Sequence, residues 1–261
     1  MKLEHARILL TGAAGGLGQE LARQLHAAGA SLLLAGRDTA RLEALRASLG
    51  SRAAVVTADL LRAEGVALTA SAAREFGINM VIHNAGASAF GLLEEQAWPA
   101  IEHVLAISLQ APIRLTHALL PWLKAQPQAA IVTIGSAFGS VPFAGFAAYS
   151  AAKAGLRAFS QALRRELADT LIAVVHIAPR AIDTAMNSEQ VRALNQALKS
   201  RSDSAAEVAA EIVSALKHDR HEVHIGFPER LFAWLNGVAP RLIDRGVAGK
   251  LSVVKRHAAS R

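Results

Sequence analysis

Three side chains in this sequence have the types and spacing of an acid–base centre. Tyr149 and Lys153 lie four residues apart, and Ser136 lies thirteen residues before the tyrosine. Residues four apart share a helix face, so the phenol and the ammonium can point into one pocket. The apolar run Ala130-Ile131-Val132-Thr133-Ile134 reads as a strand, and Ser136 would follow its carboxyl end. A phenol with a pKa near ~10 is a poor acid or base at neutral pH. A neighbouring ammonium favours the phenolate and lowers that pKa. Such tuning suits a tyrosine to proton exchange with an alcohol or carbonyl oxygen, and the serine hydroxyl can hydrogen-bond the same oxygen. The plainer alternative is an amphipathic helix with a surface lysine and a half-buried tyrosine. Tyr149 is the only tyrosine in the chain, so the surrounding elements must decide.

The chain has 261 residues, 52% hydrophobic and 19% charged, enough apolar content for a large core and too much for disorder. No cysteine is present, which excludes disulfides and thiolate metal sites. His218 and His221 flank Asp219 in a charged, loop-like stretch and read as solvated, so no metal is expected. The segment Met1 to His5 lacks the apolar core of a signal peptide. No apolar run approaches the ~20 residues needed to span a bilayer. The expectation is a cytoplasmic protein.

The elements that would position the trio follow in order. Ala6-Arg7-Ile8-Leu9-Leu10 reads as a strand and runs into Thr11-Gly12-Ala13-Ala14-Gly15-Gly16-Leu17-Gly18. A helical pattern follows to Ala28, with Leu21 and Leu25 on one face and Gly29 as its stop. Strand, glycine-rich turn and helix form a phosphate-binding unit, with the anion facing the helix amides. Gly12, Ala14, Gly15, Gly16, Leu17 and Gly18 are the candidate cradle, spaced G-x-x-x-G-x-G. A second strand, Ser31 to Ala35, ends in Gly36-Arg37-Asp38. An acidic residue at that strand end suits the ribose of NAD, whereas an arginine suits the 2′-phosphate of NADP. Asp38 is placed to cap the next helix, Thr39 to Leu49, so Arg37 favours NADP. A solvated loop arginine is the alternative.

Ala53 to Thr57 reads as a third strand, followed by Asp59-Leu60, where Asp59 either reaches an adenine edge or caps the next helix. Met80 to His83 is a fourth strand, ending in Asn84-Ala85-Gly86, small residues that suit a backbone lying against a flat cofactor. Strands alternating with helices predict a parallel, doubly wound α/β sheet.

Together these residues resemble the short-chain dehydrogenase/reductase family. The resemblance rests on Thr11-Gly12 through Gly18, Asp59-Leu60, Asn84-Ala85-Gly86, Ser136, Tyr149, Lys153, and Pro179 with Thr184 five residues later. It covers roughly residues 5 to 228. It implies a single-domain Rossmann fold with a seven-stranded parallel sheet, helices on both faces and NAD(P)-dependent interconversion of an alcohol and a ketone. It makes Tyr149 the general acid of reduction. Lys153 would lower its pKa and hold the nicotinamide ribose, and Ser136 would position the carbonyl. It also implies a homodimer or homotetramer. Two positions depart from the family pattern. Ser108 stands where an asparagine commonly serves a proton relay, and a water could still bridge it. Pro179-Arg180 replaces Pro-Gly, so Arg180 either binds an acidic substrate group or points to solvent.

Residues 184 to 202 form the expected substrate lid, with Met186, Val191, Leu194 and Leu198 at helical spacing. With Phe138, Val141, Phe143 and Phe146 they suggest a moderately apolar small-molecule substrate. The catalytic and cofactor-binding domain is expected over residues 1–227 and an amphipathic basic extension over 228–261. The net charge is +7, and from Pro228 onward seven basic residues face two acidic ones. Leu231, Phe232, Trp234, Leu235, Val238, Ala239, Leu242 and Ile243 line one face of a helix that Pro240 would kink. That face either packs on the body or a second subunit, or makes a peripheral membrane contact through 229–256 at the inner face of a membrane. The basic tail lacks a nucleic-acid reader motif. The sequence leads to an NADP(H)-dependent ketone/alcohol oxidoreductase, with a cofactor-binding sensor or membrane-associated scaffold as the competing class.

Overall fold

The structure is a computed structural model that describes residues 2–218 and 220–259, apart from the side chain of Arg245. Nine strands occur among the described residues: β1 (Arg7–Thr11), β2 (Ser31–Gly36), β3 (Ala53–Thr57), β4 (Met80–His83), β5 (Ala129–Ile134), β6 (Ile172–Ala178), β7 (Ile182–Asp183), β8 (Asp203–Ser204) and β9 (Glu222–His224). The helices are α1 (Gly16–Ala27), α2 (Thr39–Leu49), α3 (Ala63–Phe76), α4 (Trp98–Leu105), α5 (Ala111–Lys124), α6 (Ala147–Glu166), α7 (Glu189–Ala197), α8 (Ala205–Lys217), α9 (Phe227–Val238), α10 (Pro240–Ala248) and α11 (Leu251–Ala258).

Seven strands form one sheet in the order β3-β2-β1-β4-β5-β6-β9, and every pairing is parallel. Parallel strands need crossover helices, which cover both faces and make the strands continuously apolar. The alternation of side chains divides the core accordingly. Ile8 and Leu10 point to one face with residues of α1, α2 and α8. Leu9 points to the other, with residues of α3, α5 and α6. The chain leaves β1 for β2 and β3 on one side, then returns to β4 on the other. That reversal opens a crevice at the carboxyl ends of β1 and β4, where doubly wound folds bind ligands.

Helices α4 and α5 are one continuous rod joined by a π-helical turn, Ala106–Gln110. The rod, Trp98–Lys124, is long and apolar enough by length and composition to cross a membrane. The expectation that no stretch would come near that length is corrected here. Its apolarity has a packing reason: Leu115, Leu119 and Leu123 are fully buried against the sheet-side cluster of α3 and α6.

The carboxyl-terminal segment also differs from expectation. Pro240 does not kink one helix; it opens a new one, because a proline is tolerated in the first turn and not further in. The outcome is three helices, α9 to α11. The short parallel ribbon of β7 and β8 was not foreseen. It brackets α7, so residues 184 to 202 carry one helix over Glu189–Ala197.

Candidate active site

Tyr149 sits near the start of α6 and Lys153 one turn later, so both face the end of β5. Lys153 is buried, and its Nζ donates to the Ile134 carbonyl at 2.9 Å. Burial pushes its pKa down to about 8. The ammonium lies 5.8 Å from the centroid of the Tyr149 ring. Ser136 has extended backbone and accepts from the Phe138 amide at 3.2 Å, which holds its hydroxyl towards the phenol. The tyrosine differs from expectation in one respect. Burial pushes its pKa up, and a hydrogen bond with Ser136 pulls it partly back. Burial is the larger influence on this phenol. A phenol in this state is a proton donor, the form that ketone reduction requires.

The strand end carrying Ser136 is braced by a residue absent from the sequence reading. The His176 ring packs under Gly135, where an added β-carbon would come within 2.5 Å of it. Its Nδ1 pairs with Thr133 Oγ1 at 2.9 Å, and burial holds its pKa at about 3.

The glycine turn lies in the crevice. Gly12 has φ +65°, and a β-carbon there would stand 2.8 Å from the Ala85 Cα. A β-carbon on Gly18 would fall 2.2 Å from the Gly12 carbonyl oxygen. These positions admit no side chain, and α1 can start close to β1 because of them. Gly15 and Gly16 are exposed, and no side chain caps α1. The first amides of a helix lack internal partners, so this end can receive an anion. Ala14 is half-buried and Leu17 buried beneath the turn. Thr184 lies over it, with its methyl 3.1 Å from where a Gly16 β-carbon would be.

Thr11, which the sequence reading left out of the site, ties this turn to the end of β4. Its Oγ1 accepts from the amides of Asn84 and Ala85 at 3.0 Å each. Asn84 Nδ2 returns bonds to the carbonyls of Thr11 and Gly12. Gly86 follows, and a β-carbon added there would stand 3.4 Å from Ser108 Oγ and 3.5 Å from Lys153 Nζ. Ser108 is fully buried in the π-helical turn, and its hydroxyl both donates to the Ala87 carbonyl and accepts from the Ala87 amide at 3.1 Å. Turns of this kind concentrate at functional sites. Pro179 is buried at the end of β6, and its carbonyl accepts from Ala137.

At the opposite end of the crevice, Arg37 is exposed. Asp38 caps α2 by accepting from the Arg41 amide at 3.0 Å. Leu60 is buried. Asp59 accepts from the Leu61 amide, while α3 begins after Arg62 without a side-chain cap; Asp59 therefore fixes a turn and does not cap that helix. Neither reading of Arg180 holds. Its guanidinium grips both carboxylate oxygens of Asp203 and lies 3.6 Å from Glu229. A bidentate carboxylate in reach is the strongest partner for that fork. No group of residues able to hold a metal occurs among the described residues; Asp219, between His218 and His221, lies outside them.

The fold and the crevice together define a nicotinamide-dependent oxidoreductase. The family model for short chain dehydrogenase matches residues 6–195, and the chain belongs to that family. It is 32% identical over 264 residues to mouse dehydrogenase/reductase SDR family member 7B, a match spanning 95% of this chain and 82% of that protein. A short-chain dehydrogenase from Sphingobium yanoikuyae in complex with NADPH superimposes with TM-score 0.78 at 29% identity, over 91% of this chain and 95% of that one. A Burkholderia phymatum enzyme in complex with NAD superimposes with TM-score 0.82 over 93% of this chain and 96% of that one; at 21% identity it shows the shared fold.

Proposed function

We propose that this chain is an NADP(H)-dependent oxidoreductase that interconverts a ketone and a secondary alcohol on a moderately apolar small molecule. The observation that carries the reading is the convergence of Ser136, Tyr149 and Lys153 at the carboxyl end of β5, beside a glycine cradle with uncapped helix amides. The cradle fits a dinucleotide: Gly12 to Gly18 would hold the pyrophosphate, with Ala14, Gly15, Gly16 and Leu17 presenting backbone, and Thr184 closing over it. Asp59 and Leu60 would line the adenine, and Asn84, Ala85 and Gly86 would lie along the sugar. Lys153, Tyr149 and Pro179 would bound the nicotinamide end. The bound cofactor supplies the hydride. Asp38 is committed to capping α2, which leaves Arg37 to meet a 2′-phosphate and supports NADP; the 29%-identical neighbour is in complex with NADPH.

In reduction, Ser136 would hold the carbonyl oxygen and Tyr149 would give it a proton. The buried phenol is protonated at neutral pH, and the Ser136 hydrogen bond offsets part of the rise that burial causes. Lys153 has two N–H donors beyond the one directed at Ile134, and these can hold a ribose hydroxyl. Ser108, through its two bonds to Ala87, would position the loop after β4 and offer an oxygen to a relay water. The Tyr149→Phe variant should bind NADPH as the parent does and lose at least ~100-fold in turnover. Unchanged turnover on a ketone that the parent reduces would end this reading.

The chain is also proposed to act as a homo-oligomer in the cytoplasm. A peripheral contact with an anionic membrane through α9 and α10 is favoured by exposed Phe227, Leu231, Trp234, Val238 and Leu242 beside exposed Arg230 and Arg241.

A further inference from the structure

The aromatic cluster above Tyr149 is not closed by the sheet or by α7 alone. Phe138 and Phe146 meet the tyrosine ring edge-on at centroid distances of 6.4 and 6.3 Å. Phe90 tilts against Phe146 at 5.0 Å, and Phe143 stacks on Phe138 at 5.5 Å. Leu194 of α7 is buried in the same cluster. The remaining wall comes from the far end of the chain: Val254, on α11, is 0% exposed and belongs to this cluster. Its Cγ1 lies 3.1 Å from where a β-carbon on Gly145 would stand, and Phe90 Cε2 lies 2.6 Å from the same point. The same helix runs on to Ala258 and Ala259, which bound a cavity of about 470 Å³ together with Phe90, Gln96 and Met186. Phe90 is common to cluster and cavity. One helix therefore contributes both to the apolar packing over the phenol and to the wall of the adjoining space.

We infer that α11 is the roof of the substrate chamber and that Val254 is a specificity-determining residue, setting how large an apolar arm a ketone can place beside Tyr149. The inference rests on the oxidoreductase reading above for the nature of the substrate. Its physical basis is separate. A buried branched side chain among aromatic rings fills a fixed volume, and changing that volume changes what fits. The walls beside Tyr149 are phenylalanine, leucine and valine, so the arm that lies against the phenol is apolar, aliphatic or aromatic, while the adjoining cavity adds the polar Ser88, Glu95, Gln96 and Ser188. Recognition is by size, and a pocket of this kind discriminates per methylene.

Two measurements on the full chain test this. The first is amide hydrogen exchange over residues 138–149 and 189–198 in the parent and in Val254→Asp, which places an unpaired carboxylate in the cluster and should release α11. Exchange in both segments should rise at least tenfold, while β1 and β2 keep parental protection and report that the sheet is intact. The second is kcat/KM with NADPH over a series of methyl ketones of increasing chain length, for the parent, Val254→Ala and Val254→Phe. The ratio of long to short ketone should rise about tenfold in Val254→Ala and fall by a similar factor in Val254→Phe. Parental exchange in Val254→Asp overturns the roof. Identical chain-length ratios in the three proteins overturn the specificity role. Absence of turnover on every ketone by the parent counts against the oxidoreductase reading, and the exchange result then decides the roof by itself.

Discussion

Two histidines should make this fold sensitive to mild acid. His83 on β4 and His176 on β6 are 2% and 1% exposed, on the strands that flank β5. Burial holds both imidazoles at a pKa of about 3, against an ordinary value near ~6.5. The folded-state pKa lies below the unfolded one, so the unfolded chain takes up protons first as pH falls. Stability is full above about pH 6.5 and declines as pH drops from there towards 3. At pH 5.0 the gap already traversed is about 1.5 pH units, or ~2 kcal/mol for each histidine and ~4 for the pair. Urea unfolding followed by tryptophan fluorescence, at pH 7.5 and 5.0 and constant ionic strength, measures the loss. His83→Gln retains a polar partner for Thr116, which the imidazole meets at 2.8 Å, and does not titrate. Its acid loss should be smaller than the parent's by ~2 kcal/mol. Equal losses in the two proteins would refute the assignment of the effect to a buried neutral imidazole.

Gly18→Ala should abolish NADPH binding measured by fluorescence titration, because its β-carbon would meet the Gly12 carbonyl oxygen at 2.2 Å; wild-type affinity would show that the turn is not the phosphate cradle. Vesicles containing anionic lipid should carry the full chain to the top of a flotation gradient, and Trp234→Asp, which charges an exposed position on α9, should sink. Failure of the parent to float would remove the membrane contact.

What the sequence disclosed, and what it concealed, divides along the range of the interactions. The glycine turn, the cap by Asp38, and the Tyr149–Lys153 pair are local: a few neighbouring positions determine each, so spacing suffices to read them. The parallel sheet was legible from strands alternating with helices, and its seven-stranded order from the family resemblance. His176 was passed over because its role depends on packing under Gly135, forty-one positions earlier. The pairing of Arg180 with Asp203 and Glu229 is likewise non-local. The direction of the Tyr149 pKa differs from the expectation for a related reason: spacing shows that an ammonium is near, and only coordinates show that burial of the phenol outweighs it. Val254 had a faint local signal in the apolar Leu251, Val253 and Val254. Basic neighbours drew attention to the charge of that segment instead.

The ion pair between Arg180 and Asp203 has a consequence for how the segment between them can move. It fastens two positions 23 apart in sequence, and the β7–β8 ribbon zips the same ends. The entropy of bringing the ends together is therefore settled before any substrate arrives. Opening does not require the segment to detach as a free arm; α7 can rock about a fixed base while Thr184 stays near the glycine turn. Glu229 reaches the same guanidinium from α9, so the pivot is shared with the carboxyl-terminal helices, and displacement of one is mechanically felt by the other.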